Sequence, residues 1–105
     1  AGSSGSAAFD SPVAVTANMD GTQLYVCERS NRIRLVVLAT SVVTTFAGSS
    51  GSLADGVGTS ATFDQPHGIA IHPSSLYLFV ADKDNNVIRA IAVRTSTVTT
   101  LAGDQ

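Results

Sequence analysis

The sequence predicts an all-β protein built from two four-stranded antiparallel sheets. The chain repeats itself once, each copy carries four short strand signals, and several of these strands are apolar on both faces. With 105 residues the chain has the length of one domain, and 44% hydrophobic residues are enough for a packed core. Charged residues make up only 13%, against a usual ~25%. We therefore expect the chain to bury more of its surface than a lone small domain does.

The repeat is the main organising feature of the chain. Copy one opens at 9–15 (FDSPVAV) and closes at 43–48 (VTTFAG), and copy two opens at 63–69 (FDQPHGI) and closes at 98–103 (VTTLAG). The offset between the copies is 54 residues at the opening and 55 at the close, so copy two carries one inserted residue. The simplest place for it is Asn85-Asn86 against Asn31. A period near 54 is long for a helical solenoid and suits a four-stranded propeller blade.

Each strand is supported by its composition and by the turns around it. The strands of copy two are expected at 68–71, 76–81, 87–93 and 97–101, with turns at 72–75, 82–86 and 94–96. Most strands are rich in β-branched or aromatic residues, and the turns are rich in Asp, Asn, Ser and Pro. Copy one repeats this order, and no stretch has the 3.6-residue period of a helix. Residues 35–38 and 76–81 are apolar on both faces, which indicates sheets stacked on one another around an axis.

Three segments follow from the repeat. Residues 1–48 are expected to form blade one with a short leader, residues 49–62 a Gly/Ser-rich linker, and residues 63–105 blade two. The linker contains Asp55-Gly56-Val57-Gly58 but no following Gly-Lys-Ser/Thr. We interpret its glycines as suppliers of positive φ rather than as a phosphate cradle.

The ordered motifs of the chain resemble those of the NHL-repeat β-propellers. The matching segments cover nearly the whole chain and lie at 54–63, 66–70, 78–82, 85–89 and 98–103. Copy one departs from the pattern, with Val13-Ala14 in place of His67-Gly68 and Glu28 in place of Asp82. The resemblance implies two blades of a closed ring of about five to seven.

Two blades cannot close a ring, and each terminal blade would expose an apolar face. The chain is therefore expected to be a fragment of a larger propeller, natural or designed, or a subunit whose copies complete the ring. The second alternative predicts a homo-oligomer held by heterologous contacts, most simply a trimer with six blades.

Composition excludes several classes of partner. A net charge of −2 argues against a nucleic-acid binder, and no apolar run is long enough for a transmembrane helix. The single Cys27 rules out an internal disulfide, and with only two histidines a zinc site within one chain is not expected. No signal-peptide pattern is visible, so a cytoplasmic location is the default expectation.

His67 is the first candidate ligand-binding residue, because it precedes the presumed innermost strand at the mouth of the channel. Three copies around a trimer axis would have the geometry of a shared cation site. The alternative, which we favour, is a histidine that is hydrogen-bonded at the start of a strand. No metal or other cofactor is therefore assigned.

The polar turn at 82–86 supplies the next candidates, Asp82 and Asn85. Their oxygens would suit calcium, but Asp and Asn in tight turns more commonly bond backbone amides. On that second interpretation Asp82→Ala weakens folding by ~1 kcal/mol and removes no specific activity.

Basic residues complete the candidate site. By blade register Arg29, Arg32 and Lys83 lie near the same face as His67 and form a modest basic rim, usable for an acidic peptide or for RNA phosphates. The alternative is an ordinary solvated loop surface.

The function favoured by these residues is a scaffold that binds a protein or peptide ligand. The alternative is a metal-dependent lyase or hydrolase with its site at the channel mouth. Catalysis would need polar groups converging on the channel, and few residues qualify, so no catalytic residue is assigned.

Cys27 is interpreted as a small buried residue, since no histidine accompanies it in the pattern.

Overall fold

A computed structural model describes residues 9–103, which form two antiparallel sheets and no α-helix. The leader at residues 1–8 and the last two residues lie outside the described part. Sheet one has the order β1 (Pro12–Ala17), β2 (Gln23–Glu28), β3 (Arg32–Val37) and β4 (Val42–Ala47). Sheet two has the order β5 (Gly56–Val57), β9 (Thr97–Gly103), β8 (Val87–Ala92), β7 (Tyr77–Asp82) and β6 (Pro66–Ile71). The strands predicted for copy two are thus confirmed to within two residues at each end.

Sheet two has one strand more than predicted, because the linker supplies β5. Gly56 pairs with Val98 and Val57 with Thr97, so the linker runs along the outer edge of sheet two. A single 3-10 turn at Gly58–Ser60 follows. Of the three linker glycines, Gly51 and Gly58 have a positive φ, of 152° and 58°. Gly56 is needed for space instead, since a Cβ there would lie 3.0 Å from the carbonyl carbon of Ser60.

The inserted residue of copy two lies between β7 and β8. Three residues connect β2 to β3, whereas four connect β7 to β8 and include the 3-10 turn Lys83–Asn85. Both connections end on an asparagine in the left-handed region, Asn31 at φ 77° and Asn86 at φ 61°. The two turns therefore deliver the next strand in the same way despite their different lengths.

A β-bulge at the start of the first strand is also repeated. The pairing register slips between Pro12 and Ala14 in β1 and between Pro66 and Gly68 in β6. Val13 and His67 are thus equivalent bulge residues. A bulge redirects the side chain of its extra residue, and His67 is exposed.

The core lies between the two sheets. Each strand alternates its side chains between two faces, so each sheet has a front face and a back face. The front face of sheet one carries Tyr25, Cys27, Ile33 and Ala47, and it packs on the back face of sheet two, which carries Leu78, Val80, Ile91 and Val98. Ala61 and Phe63 of the incoming chain complete this cluster. Between the sheets, β1 and β6 are the strands that pack on each other most extensively.

Cys27 is fully buried in this core. Burial raises the pKa of its thiol to about 12, and the carboxylates of Asp82 and Glu28 act in the same direction. A thiol with such a pKa is neutral at physiological pH, as expected of a packing residue rather than a nucleophile.

Gly48 allows the chain to leave β4 while Phe63 packs directly over it. Its φ is +104°, and a Cβ at this position would lie 2.8 Å from Cδ2 of the Phe63 ring and would collide with the carbonyl oxygen of Asn31. The backbone conformation and the close approach of the ring therefore both require glycine here.

We predict that Gly48→Ala destabilises the protein far more than Gly21→Ala. Gly21 also has a positive φ, of +74°, but nothing lies within 4 Å of a Cβ built there. Gly21→Ala should lower the free energy of unfolding by about 1–2 kcal/mol, because alanine is disfavoured in the left-handed backbone conformation. Gly48→Ala should lose about 1–3 kcal/mol more because the ring and the turn must move. Urea unfolding measures both, and equal losses would contradict the proposed role of the Phe63 contact.

Candidate functional site

The candidate site lies at one end of the two sheets, where the β2–β3 and β7–β8 connections meet the starts of β1 and β6. The backbone N–H of Arg29 donates to the Ser11 carbonyl at 3.0 Å, and that of Asp84 donates to the Asp64 carbonyl at 3.1 Å. The sheets are joined at this end because the Asn31 side-chain oxygen accepts the backbone N–H of Gln65 at 2.7 Å. We call this end the rim, and it comprises Ser11, Arg29, Asn31, Gln65, His67, Lys83 and Asp84.

The predicted site residues separate into exposed and buried groups. Arg29, His67 and Lys83 are exposed on the rim. Arg32 is half-buried, and its Nε donates to Oε1 of the Glu28 carboxylate at 2.8 Å. Asp82 and Asn85 are buried beneath the rim, so the structure does not bring all six residues to one surface.

Asp82 is engaged by groups of the protein itself. Its carboxylate accepts the backbone N–H of Asp64 at 2.8 Å, the Asn85 side-chain amide at 2.8 Å and Nη1 of Arg89 at 3.0 Å. A buried carboxylate needs such partners to offset its lost hydration. These contacts favour the interpretation of Asp82 and Asn85 as turn-supporting residues over that of calcium ligands.

The same arrangement occurs in sheet one. The Glu28 carboxylate accepts the backbone N–H of Asp10 at 2.8 Å and Nη1 of Arg34 at 3.2 Å. Both guanidinium groups also lie over a phenylalanine ring. Arg34 is 5.7 Å from the centroid of Phe9. Each sheet therefore has one carboxylate–arginine node at the point where the chain enters its first strand.

Arg89 has a second set of partners in the linker. Its Nη2 donates to the Ala54 carbonyl at 2.8 Å and to Oδ1 of Asp55 at 2.9 Å, and its Nη1 donates to the Thr62 carbonyl at 2.6 Å. Asp55 also accepts from the Thr100 hydroxyl at 2.9 Å. Burial acts to raise the pKa of Asp55, but the hydrogen bonds from Thr100 and Arg89 outweigh it, and the pKa lies below its ordinary value of 3.8.

The sequence interpretation missed Arg34 and Arg89, because it assigned a role only to Arg29, Arg32 and Lys83 among the basic residues. A signal was available. Both copies place arginine at this position and phenylalanine at Phe9 and Phe63, in a chain with only six basic residues. Identity of a charged residue between two copies indicates a shared structural partner.

The charge of the rim is mixed rather than basic. Of the three cations predicted there, Arg32 is paired with Glu28. Asp10 and Asp84 are exposed at the same end as Arg29 and Lys83. The rim thus presents cations, carboxylates and the His67 imidazole side by side.

Residues 9–103 contain no group of three or more His, Cys, Asp or Glu side chains placed to hold a metal ion. Within the same residues, no helix has the length and hydrophobicity to cross a membrane.

Comparison with known proteins identifies the repeat. No protein-family model matches the chain. It is 33% identical over 93 residues to NHL repeat-containing protein 2 of Gallus gallus, an alignment that covers 88% of this chain and 12% of that protein. The protein of the same name from Bos taurus is 34% identical over 91 residues, which cover 83% of this chain and 12% of that protein. The chain thus spans about 12% of the length of these curated relatives.

Solved structures agree on the fold. An auxiliary nutrient binding protein from Bacteroides thetaiotaomicron superposes with a TM-score of 0.73 at 19% identity, over 85% of this chain and 25% of that chain. A putative phosphatase from the same species gives a TM-score of 0.68 at 19% identity, over 85% of this chain and 22% of that chain. At such identities the likeness concerns the fold, which is propeller-like. The chain is built of NHL-type β-propeller repeats. Sheets one and two are its two blades.

We predict that Asp82→Ala destabilises these NHL-type blades by about 3–5 kcal/mol, because it removes the fully buried carboxylate partner of Arg89 and deprives the Asn85 amide and the Asp64 backbone N–H of this acceptor. This exceeds the ~1 kcal/mol expected from the sequence for a turn cap. The matched control is Asp55→Ala, which removes the other carboxylate on Arg89 from a side chain that is 50% exposed and should cost no more than about 1 kcal/mol. Urea unfolding measures both losses, and equal losses would refute the special role of Asp82.

The contribution of Asp55 to the stability of the fold should depend on pH. Its folded-state pKa lies below its ordinary value of 3.8, so the carboxylate stabilises the fold above that pH. As the pH falls through the lowered folded-state pKa, this stabilisation is lost. The difference in melting temperature between wild type and Asp55→Asn should therefore be constant near neutrality and vanish in strong acid. A difference that stays unchanged from neutral pH into strong acid would contradict this assignment.

Proposed function

We propose that the chain is a propeller-forming binding module. Copies associate blade to blade into a closed ring, and the rim binds a protein or peptide ligand without catalysing a reaction. The observation that carries the proposal is the interface between the two blades inside the chain. It provides a template for the contact between copies.

The template pairs the front face of one blade with the back face of the next. The front face of blade one is covered by blade two, and Tyr25 at its centre is fully buried. The equivalent residue on the front face of blade two is Phe79, which is only half-buried. Ile88 and Leu101 on the same face are 39% and 58% exposed. A blade from another chain would bury this apolar surface, which is worth ~25 cal/mol per Å².

The back face of blade one has the composition to cover it. Leu78, Val80 and Ile91 of blade two pack on the front face of blade one. The equivalent back-face residues of blade one are Leu24, Val26 and Val36, which are also apolar. One chain therefore carries both halves of a heterologous contact, which closes into a ring or continues into a fibre.

The rim supports the binding part of the proposal. All blades of such a ring would present their rims at one end, because the inner strands of both blades begin there. The rim is polar, exposed and of mixed charge at Arg29, His67, Lys83 and Asp84. A surface of this kind suits a peptide that carries acidic and hydrogen-bonding groups.

We predict that the chain is trimeric in solution, with three times the monomer mass of 10.7 kDa and six blades. Light scattering coupled to size exclusion at micromolar concentrations measures the mass, and circular dichroism confirms the fold. A folded monomer throughout would overturn self-association. A dimer would support blade-to-blade association but contradict the count of six blades.

Binding at the rim predicts a charge-sensitive site. Fluorescence polarisation against a library of labelled acidic peptides should identify peptides that bind the wild-type protein. Their affinity should fall at least tenfold in the double variant Arg29→Glu, Lys83→Glu. Arg94→Glu is the matched control, because Arg94 follows β8 at the opposite end of the blade. Equal loss in the control would indicate general electrostatics, and an unaffected double variant would place binding elsewhere.

A further inference from the structure

The two blades differ in one recess on the front face, next to the glycine that ends the last strand. In blade one the recess is filled. The Phe63 ring is fully buried, and its edge lies 2.8 Å from the position that a Cβ on Gly48 would take. Cys27, Ile33 and Ala47 belong to the same buried cluster. Phe63 is thus the anchor by which the following repeat is seated on blade one.

Blade two has the same recess, and it is open. Its volume is about 350 Å³, and its lining includes Ala81, Asn86, Val87, Ile88, Ala102 and Gly103. Four of these are the repeat equivalents of Cys27, Asn31, Ala47 and Gly48. The backbone is the same as well, since φ is +103° at Gly103 and +104° at Gly48. The recess therefore has the shape that receives a phenylalanine in blade one.

Phe9 is the repeat equivalent of Phe63. The residue after each donates its backbone N–H to the buried carboxylate of its blade at 2.8 Å. Each ring lies under the arginine of its blade, at 5.7 Å for Phe9 and 5.1 Å for Phe63. The two phenylalanines differ in burial, since Phe63 is fully buried whereas Phe9 is 40% exposed.

We infer that Phe9 of one copy inserts into the recess formed by Ala81, Ile88, Ala102 and Gly103 on blade two of a second copy. This inference rests on the proposed self-association and names the contact that anchors it. The occupant is a second copy because this chain itself shows a phenylalanine in this sequence context seated in this recess. Within residues 9–103 each copy presents one such partly exposed phenylalanine and one such open recess, so the contact is directional.

The contact also explains why the recess needs small residues. Ala81 and Ala102 stand where Cys27 and Ala47 stand in blade one, and Gly103 has no side chain to obstruct the ring. Arg34 would then hold its guanidinium over an inserted ring as Arg89 does over Phe63, at 5.1 Å in that case. A desolvated cation over an aromatic face is more strongly attracted than an exposed one.

The test uses two single variants that remove opposite halves of the contact. Phe9→Ala removes the ring, and Ala102→Leu fills the recess with a side chain from an exposed position. Each variant should raise the dissociation constant for self-association by at least thirtyfold, the size of effect expected for an interface anchor. Met19→Ala is the control. Met19 is 62% exposed in the β1–β2 turn, at the end away from the rim, and its variant should associate like wild type.

Mixing the variants makes the test specific. The Phe9→Ala chain keeps its recess and the Ala102→Leu chain keeps its ring, so an equimolar mixture should form a one-to-one dimer that neither variant forms alone. Analytical ultracentrifugation distinguishes the species, and circular dichroism verifies that each variant is folded. If wild type and both variants associate equally, self-association stands and the Phe9 inference is overturned. If wild type is monomeric, the proposed self-association itself is overturned.

Discussion

Each blade depends on one buried carboxylate–arginine pair, Asp82 with Arg89 in blade two and Glu28 with Arg34 in blade one. Burying two charges costs several kcal/mol per ion, so such a pair stabilises a fold only when its remaining hydrogen-bonding capacity is satisfied. Here Asp82 accepts from a backbone amide and from Asn85 as well as from Arg89. The pair therefore contributes more to fixing the path of the chain than to the net stability of the fold. Only one placement of the incoming strand supplies the backbone N–H.

That constraint extends from the pair to the linker and to the interface between the blades. Arg89 binds two linker carbonyls and Asp55, which holds the segment before β6 against sheet two. The same guanidinium covers Phe63, whose ring fills the recess over Gly48. Arg89 thus contacts three parts of the structure: the buried Asp82 at the start of blade two, the linker, and the Phe63 ring that packs on blade one. The linker is a structural part of blade two, to which it contributes β5.

The repeat and the strand order could be predicted from the sequence, because both depend on local signals. Alternating or continuous apolar runs and polar turns mark each strand within a few residues. The inserted residue of copy two could also be placed, because the strands on either side of it align. The burial of Asp82 and Asn85 could not be predicted from the sequence. A polar turn near a strand end has the same composition whether it is solvated or paired with a distant arginine. Their partner Arg89 lies on the next strand, and the carbonyls that complete its coordination lie in a linker with no periodic signal. Pairing of Gly56-Val57 with β9 was missed for the same reason, because two residues are too short for a strand pattern.

The two repeats have diverged where their surroundings differ, which separates the requirements of the blade from those of its neighbours. Phenylalanine, the buried carboxylate and arginine are present in both copies, as expected of residues that the structure of each of these two blades requires. His67 and Val13 occupy the same bulge, yet one is exposed and polar and the other half-buried and apolar. The bulge geometry is therefore fixed by the blade, while the side chain that it presents is free to vary. This freedom would serve the binding surface proposed for the rim. The rim lies at the ends of the strands, whereas the contact between blades lies on their faces, so changes of side chain at positions such as His67 need not disturb the packing of one blade on another.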